Sequence, residues 1–137
     1  MIYLLDTNTL SYIARGRSQA ARMRIESLES NDAVAISAIT EAEVRYGLAR
    51  RPEAHALRAV MEKVLFKLRV LSWGSPEAEA YGELRARTEV QGLVLSALDL
   101  LIAAQARAVG ATLITSDKAF FHLSGLIEIE NWATDIR

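Results

Sequence analysis

Residues 1–12 read MIYLLDTNTLSY, and the fold turns on how the apolar run Ile2-Tyr3-Leu4-Leu5 meets Asp6. Four consecutive apolar residues make a short strand buried on both faces, not one that alternates between core and water. Asp6-Thr7-Asn8 stops that strand and is placed to cap a helix. A carboxylate at the end of a core strand is either a cap or a reagent. One copy does not decide, so the rest of the chain must show whether more acids arrive at the same place.

Residues 7–14 have helical spacing, and a second helix capped by Ser18 is predicted to about residue 29, with Ala21, Ile25 and Leu28 on one face. Residues 33–36 form a second apolar strand, followed by a helix over 41–50 and a long one over 52–68 with Leu57, Val60, Met61, Val64, Leu65 and Leu68 as its apolar stripe. That stripe is compatible with a core or with a dimer interface. A weak third strand is predicted over 70–73. Ser75-Pro76 opens a helix to about residue 90, because proline is tolerated in the first turn. An Ala- and Leu-rich helix over 96–109 ends at Gly110, a strand follows over 111–115, Ser116-Asp117 starts a short helix, and a last strand is placed over 126–129. Short unalternating strands separated by helices predict an α/β fold with a parallel sheet covered on both faces. Neither a repeat nor a linker interrupts the chain, which is read as one domain over 1–137.

In such sheets ligands sit beyond the carboxyl ends of the strands. Asp6 follows the first strand, Asp117 follows the 111–115 strand, and Glu43 is placed in the first turn of the helix after the second strand. Asp99 lies in the first turn of the 96–109 helix, above Ala103 and Ala106, small residues that let it approach the sheet edge. Each acid also has a capping reading. Thr40-Glu41-Ala42-Glu43 has the form of a capping box with Thr40 as cap, and Ser96-Ala97-Leu98-Asp99 has the related S-x-x-D form. Asp6 and Asp117 suit helix N-termini. Four independent caps need not fall on one edge of one sheet, and four converging carboxylates repel unless a cation neutralises them. Oxygen-only ligands select Mg²⁺ or Mn²⁺ over zinc. The residues therefore point to metal-assisted phosphoester hydrolysis, which needs neither a side-chain nucleophile nor a histidine base. His55 and His122 read as helix-surface residues.

Composition bounds the rest. With 51% hydrophobic residues among 137, the chain can bury a core; it has no cysteine, so no disulfide framework or thiolate site. Its apolar runs are shorter than the roughly 18 residues of a membrane span, and the first ends at Asp6, too early for a signal peptide. A soluble cytoplasmic protein is expected. The net charge of −1 argues against a general nucleic-acid coat, yet 13 of the 16 basic residues are arginine, with Arg15, Arg17, Arg22, Arg24, Arg45, Arg50 and Arg51 crowded early. Arginine favours bidentate phosphate or carboxylate partners, although a solvated surface would look the same.

The runs LLDTNTLSYI, SAITEAEVRYGL, YGELRARTEVQG, DLLIAAQARAVGATLITSDKAF and IEIENW resemble PIN-domain ribonucleases of the VapC toxin type, in that family's order and over residues 2–132. D-T-N alone would be weak; with S-A-I-T-x-A-E, D-x-x-I-A-A-x-A and L-I-T-S-D the resemblance is specific. It implies a three-layer α/β/α sandwich around a parallel sheet of four to five short strands. It also implies that Asp6, Glu43, Asp99 and Asp117 form an acidic quartet. Asp6, Asp99 and Asp117 would be the principal metal ligands, directly or through water, and Glu43 would help hold the metal or orient water. Asn8 falls on the polar position after the first acid, and Thr115 on the hydroxyl position before the last. Further implied are cleavage of tRNA or ribosomal RNA, arrest of translation, a homodimer, and an inhibiting VapB-type antitoxin. The approach Val94-Leu95-Ser96-Ala97-Leu98 is more apolar than in many relatives, with Ser96 where glycine is frequent. The quartet is complete, so an active enzyme is expected. The rest of the chain carries 13 acidic against 16 basic residues, a surface that RNA tolerates. Splayed single-stranded nucleotides would reach a recessed site, and Tyr12, Tyr46 and Phe120 lie near the acidic motifs, with two of the three expected in the core.

Three rivals stay open. A haloacid-dehalogenase-type phosphatase needs a second Asp two residues after the first, where Asn8 stands. A catalytically inert binding module of this fold would be expected to have lost an acid. Flap-type DNA nucleases carry extra acids and a helical clamp, for which 137 residues leave little room.

Overall fold

A computed structural model describes residues 1–136. In chain order it comprises β1 (Ile2–Leu5), α1 (Thr7–Ala14), α2 (Gln19–Glu26), β2 (Ala33–Ser37), α3 (Ala38–Ala49), α4 (His55–Lys67), β3 (Arg69–Leu71), α5 (Ser75–Val90), α6 (Ala97–Val109), β4 (Thr112–Ile114), a 3-10 helix (Lys118–Leu123) and β5 (Glu128–Glu130). The strands form one sheet in the order β3-β2-β1-β4-β5, every adjacent pair parallel.

The registers explain why the strands need no alternation. Leu4 stands opposite Ala35 and Leu113, and Leu5 opposite Ile36 and Ile114. Successive residues of a strand point to opposite faces, so each row has its own core. The Leu4 row packs with Leu84, Ile102 and Phe120 from α5, α6 and the 3-10 helix. The Leu5 row packs with Leu10, Leu48, Met61 and Leu65 from α1, α3 and α4. Two apolar layers enclose the sheet, giving the α/β/α sandwich. Most of the α4 stripe is core: Met61 and Leu65 are buried, Leu57 and Val64 pack beside them, and Val60 faces outward.

The strand order also fixes where a site can form. From β1 the chain winds outward through β2 to β3, then returns across β1 to lay down β4 and β5. Connections on the two sides of β1 therefore run over opposite faces, which opens a crevice beyond the carboxyl ends of β1 and β4.

Several predicted boundaries move. Helix α3 begins at Ala38, not residue 41, because Ser37 caps it by accepting the Ile39 amide at 3.0 Å. Thr40 is thus inside the helix, and Glu43 lies in its second turn, where it cannot close a capping box. Helix α2 ends at Glu26, three residues early. Helix α4 begins at His55 after a turn through Pro52 and Glu53. β3 begins one residue early and stops at Leu71, while β5 shifts to Glu128–Glu130 to pair with Thr112–Ile114. Pairing partners set these ends, and local composition does not contain them.

Candidate active site

The crevice at the β1/β4 switch holds all four predicted acids. Asp6, Glu43, Asp99 and Asp117 line one cleft of about 110 Å³, together with Thr7, Asn8, Ile102 and Phe120. Asp6 is carried there by β1, whose pairing with β4 extends one step further through a 3.0 Å bond from the Asp6 amide to the Ile114 carbonyl. It is both things the sequence allowed. Its Oδ1 caps α1 by accepting the Thr9 amide at 2.8 Å, and its Oδ2 accepts the Thr115 hydroxyl at 2.5 Å. Each carboxylate oxygen retains a lone pair for another partner.

Thr115 is wholly buried at the end of β4. Its hydroxyl donates to Asp6 and accepts the Asp117 amide at 3.0 Å, so one oxygen ties the ends of two strands and the backbone of a second acid. Asp117 caps the 3-10 helix through the Ala119 amide and is itself exposed. Asp99 reaches the cleft from the first turn of α6, where Ser96 accepts its amide at 3.1 Å. The serine at the unusual position is thus the cap that starts α6. Behind it Ala103 and Ala106 are fully buried, letting α6 lie close to the sheet.

Glu43 lies in the cleft with the other three acids, as expected, but reaches it from the second turn of α3. Its Oε1 accepts the Thr7 hydroxyl at 2.7 Å across the crevice, so the side chain belongs to the cleft and not to a capping box. Thr7 is a site residue that the sequence argument passed over; its signal was a hydroxyl directly after the first acid. Asn8 lines the cleft from the exposed first turn of α1. Phe120 lines it as a buried wall, not an open stacking face; Tyr12 is half-buried and Tyr46 exposed. His55 and His122 are exposed, as expected.

The acids influence one another. Burial pushes the Asp6 carboxyl above its ordinary pKa, hydrogen bonds from Thr115 and Thr9 oppose this, and the Asp117 charge adds to the rise. Asp99 is raised by burial first; the Ser96 bond opposes it, and the charges of Asp117, Glu43 and Asp6 push further upward. A cleft that penalises its own negative charge is one that a cation would relieve. Among the described residues, however, no three acidic or histidine side chains draw together tightly enough to make a ready metal cage. The donor set of carboxylates and one amide, without thiol or imidazole, still fits a hard cation that retains waters between itself and its ligands.

A five-stranded parallel sheet with carboxylates gathered at its switch point defines the class, an α/β/α sandwich with an acidic cleft at one sheet edge, and comparison gives the family. The PIN domain profile matches residues 3–126. Ribonuclease VapC2 of Rickettsia felis is 35% identical over 133 residues, covering 96% of this chain and 98% of that protein. The tRNA(fMet)-specific endonuclease VapC of Shigella flexneri is 26% identical over 131 residues, again covering 96% and 98%. The crystal structure of VapBC2 from Rickettsia felis bound to a DNA fragment from its promoter contains a chain that superposes with a TM-score of 0.88 at 32% identity, covering 96% of this chain and 99% of that one. The chain belongs to the PIN-domain family, among the VapC-type ribonuclease toxins.

Proposed function

We infer that this protein is the toxin of a toxin–antitoxin pair, a divalent-metal-dependent endoribonuclease built as one PIN domain over residues 1–137. The observation that carries the reading is the meeting of Asp6, Glu43, Asp99 and Asp117 in one cleft at the β1/β4 switch point. Asp6, Asp99, Asp117 and Glu43 would hold Mg²⁺ or Mn²⁺, directly or through water. That ion, when bound, supplies positive charge to activate water and to stabilise the developing charge on the phosphate and leaving oxygen.

The side chains do the rest. Thr115 fixes the orientation of Asp6, and its hydrogen bond opposes the upward push of burial on that carboxyl. Thr7 holds Glu43 so that its second oxygen can accept a hydrogen bond from the attacking water. Asn8, at the exposed lip, offers an amide to a phosphate oxygen or to water. The walls formed by Ile102 and Phe120 limit bulk water on the sheet side of the cleft.

The substrate proposed is structured RNA, tRNA or ribosomal RNA, whose cleavage would inhibit translation. The name of the Shigella flexneri relative supports tRNA. The VapBC complexes among the structural relatives support a VapB-type antitoxin as partner. A homodimer and a cytoplasmic location complete the proposal; no helix of the described residues is long and apolar enough to cross a membrane.

The test is incubation of the antitoxin-free chain with total tRNA and with ribosomal RNA, in EDTA, Mg²⁺ or Mn²⁺, beside Asp6→Ala. Discrete, metal-dependent fragments that disappear in the variant are expected. Hydrolysis of a phosphomonoester with all RNA intact would replace the reading with a phosphatase. Inertness toward every substrate would leave a binding module.

A further inference from the structure

The early arginines find a place that the cleft does not use. Beside the acids, between α1, α3 and α4, lies a second cavity of about 320 Å³. Its floor is apolar, with Leu48 and Met61, and its rim carries Arg15, Arg50 and Arg51. Thr7 lines both cavities, so the threonine that holds Glu43 is also the wall they share. The volume lies in the range of small-ligand sites, roughly 300–1,000 Å³.

Arg15 and Arg50 follow the carboxyl ends of α1 and α3, where a cation complements the helix dipole. That duty is already partly met at α3, because Arg58 donates to the Leu48 carbonyl at 3.2 Å. Among the described residues none of the three rim arginines forms an ion pair, whereas Arg22, Arg24, Arg45, Arg85, Arg87 and Arg107 all do. Arg50 lies over the exposed ring of Tyr46, its carbon 5.5 Å from the centroid, which orients the guanidinium without neutralising it. Three unneutralised, fork-shaped cations around an apolar floor match a phosphate with an attached base.

We propose that the Arg15/Arg50/Arg51 cavity is a distal RNA subsite, binding a phosphate and base of the strand that flanks the scissile bond at the acids. This rests on the ribonuclease reading. The acid cleft alone repels a polyanion, and the adjoining arginines supply the attraction that holds the strand while its phosphate is presented across Thr7. Specificity for a position next to the cut is then set by the fit of that base on Leu48 and Met61.

The test compares the protein with an Arg15→Gln/Arg50→Gln/Arg51→Gln variant and a control of equal charge, Arg22→Gln/Arg85→Gln/Arg87→Gln. Cleavage kinetics are measured on RNA, and fluorescence anisotropy with a labelled single-stranded oligoribonucleotide of about eight nucleotides in an Asp99→Asn background. The expected result is a KM and a dissociation constant raised roughly tenfold or more with kcat little changed, since charge-assisted bonds are lost from uniform binding. The salt dependence of log affinity should flatten by about 0.7 for each lost phosphate contact. Singly substituted variants should show graded effects, and the control should show none. Equal losses in the control, or unchanged affinity and salt slope in the rim variant, would overturn the proposal. Unchanged RNA binding with loss of the hold by the cognate antitoxin would also overturn it and give the cavity to a peptide. If the protein cuts no RNA at all, the ribonuclease reading fails, yet the anisotropy comparison still decides the subsite.

Discussion

The hydroxyl of Thr115 donates to Asp6 Oδ2 at 2.5 Å, joining the carboxyl ends of β4 and β1 across the switch point. The same oxygen accepts the Asp117 amide, so both acids are set by one buried atom. Thr115→Val keeps the volume and removes the bond. Activity should fall roughly ten- to hundredfold, the usual loss for an outer partner of a metal ligand, which is the role proposed for Asp6, and Thr115→Ser should restore most of it. Equal activity of Thr115→Val and the parent protein would separate this bond from function.

The start of α3 separates a cap from a reagent. Ser37→Ala removes the true cap and should cost about 1 kcal/mol of stability by denaturant unfolding. Glu43→Ala removes no cap, so its stability should stay within about 0.5 kcal/mol while RNA cleavage is lost. A large stability loss in Glu43→Ala would restore the capping reading.

The acids should tax the fold at neutral pH. Burial, with the neighbouring charges, raises the Asp99 carboxyl above its ordinary 3.8, so the folded state binds more protons than the unfolded one between the two values. Stability then falls as pH rises through that window, and the deficit persists above it. Asp99→Asn removes the charge, so its Tm should exceed the parent's at pH 7 and converge with it as pH falls below about 4. Thermal unfolding across pH, together with loss of RNA cleavage in this variant, checks the trade.

Addition of Mn²⁺ should raise the Tm of the parent protein, because an ion bound only by the folded state stabilises it by about 2.7 kcal/mol at 100 times its dissociation constant. EDTA should reverse the shift, and Asp99→Asn should blunt it. A Tm indifferent to Mg²⁺ and Mn²⁺ at millimolar concentrations would argue against ion binding by the quartet.

At the far end of the chain, Asp135 clamps the start of α2. It accepts the Ser18 hydroxyl at 2.6 Å and the amides of Gln19 and Ala20 at 2.9 and 3.3 Å. The Ser18 bond leads in lowering its pKa below 3.8. Its stabilisation is therefore present above the ordinary value and lost as pH falls through the lower folded one. Asp135→Asn should speed hydrogen exchange at Gln19 and Ala20 at pH 7, with the parent losing the same protection under strong acid.

Both the acids and their edge were legible in the chain, because a short unalternating strand ending in Asp6 dictates a covered parallel sheet, and such sheets present one edge to ligands. Ser96 and Gly110 as helix ends were equally local: one is a hydroxyl at the first cap, the other a residue with φ near +67° that glycine adopts freely. Local pattern could not say that Thr40 lies within α3, since Ser37 and Thr40 offer the same cap and only the end of β2 against its neighbours chooses between them. Nor could it reveal that Thr7 reaches Glu43 or that Thr115 reaches Asp6, contacts between residues 36 and 109 positions apart.

The sequence by itself determined which groups this protein possesses and on which side of the sheet they emerge, for side-chain alternation and strand-to-helix order are properties of the chain. Tertiary structure decided which hydroxyl holds which carboxylate and which arginines around Leu48 and Met61 stay, among the described residues, without an ion pair. Hydrogen bonds and ion pairs depend on distances of a few ångströms between distant segments, and those distances exist only once the two apolar layers have closed on the sheet.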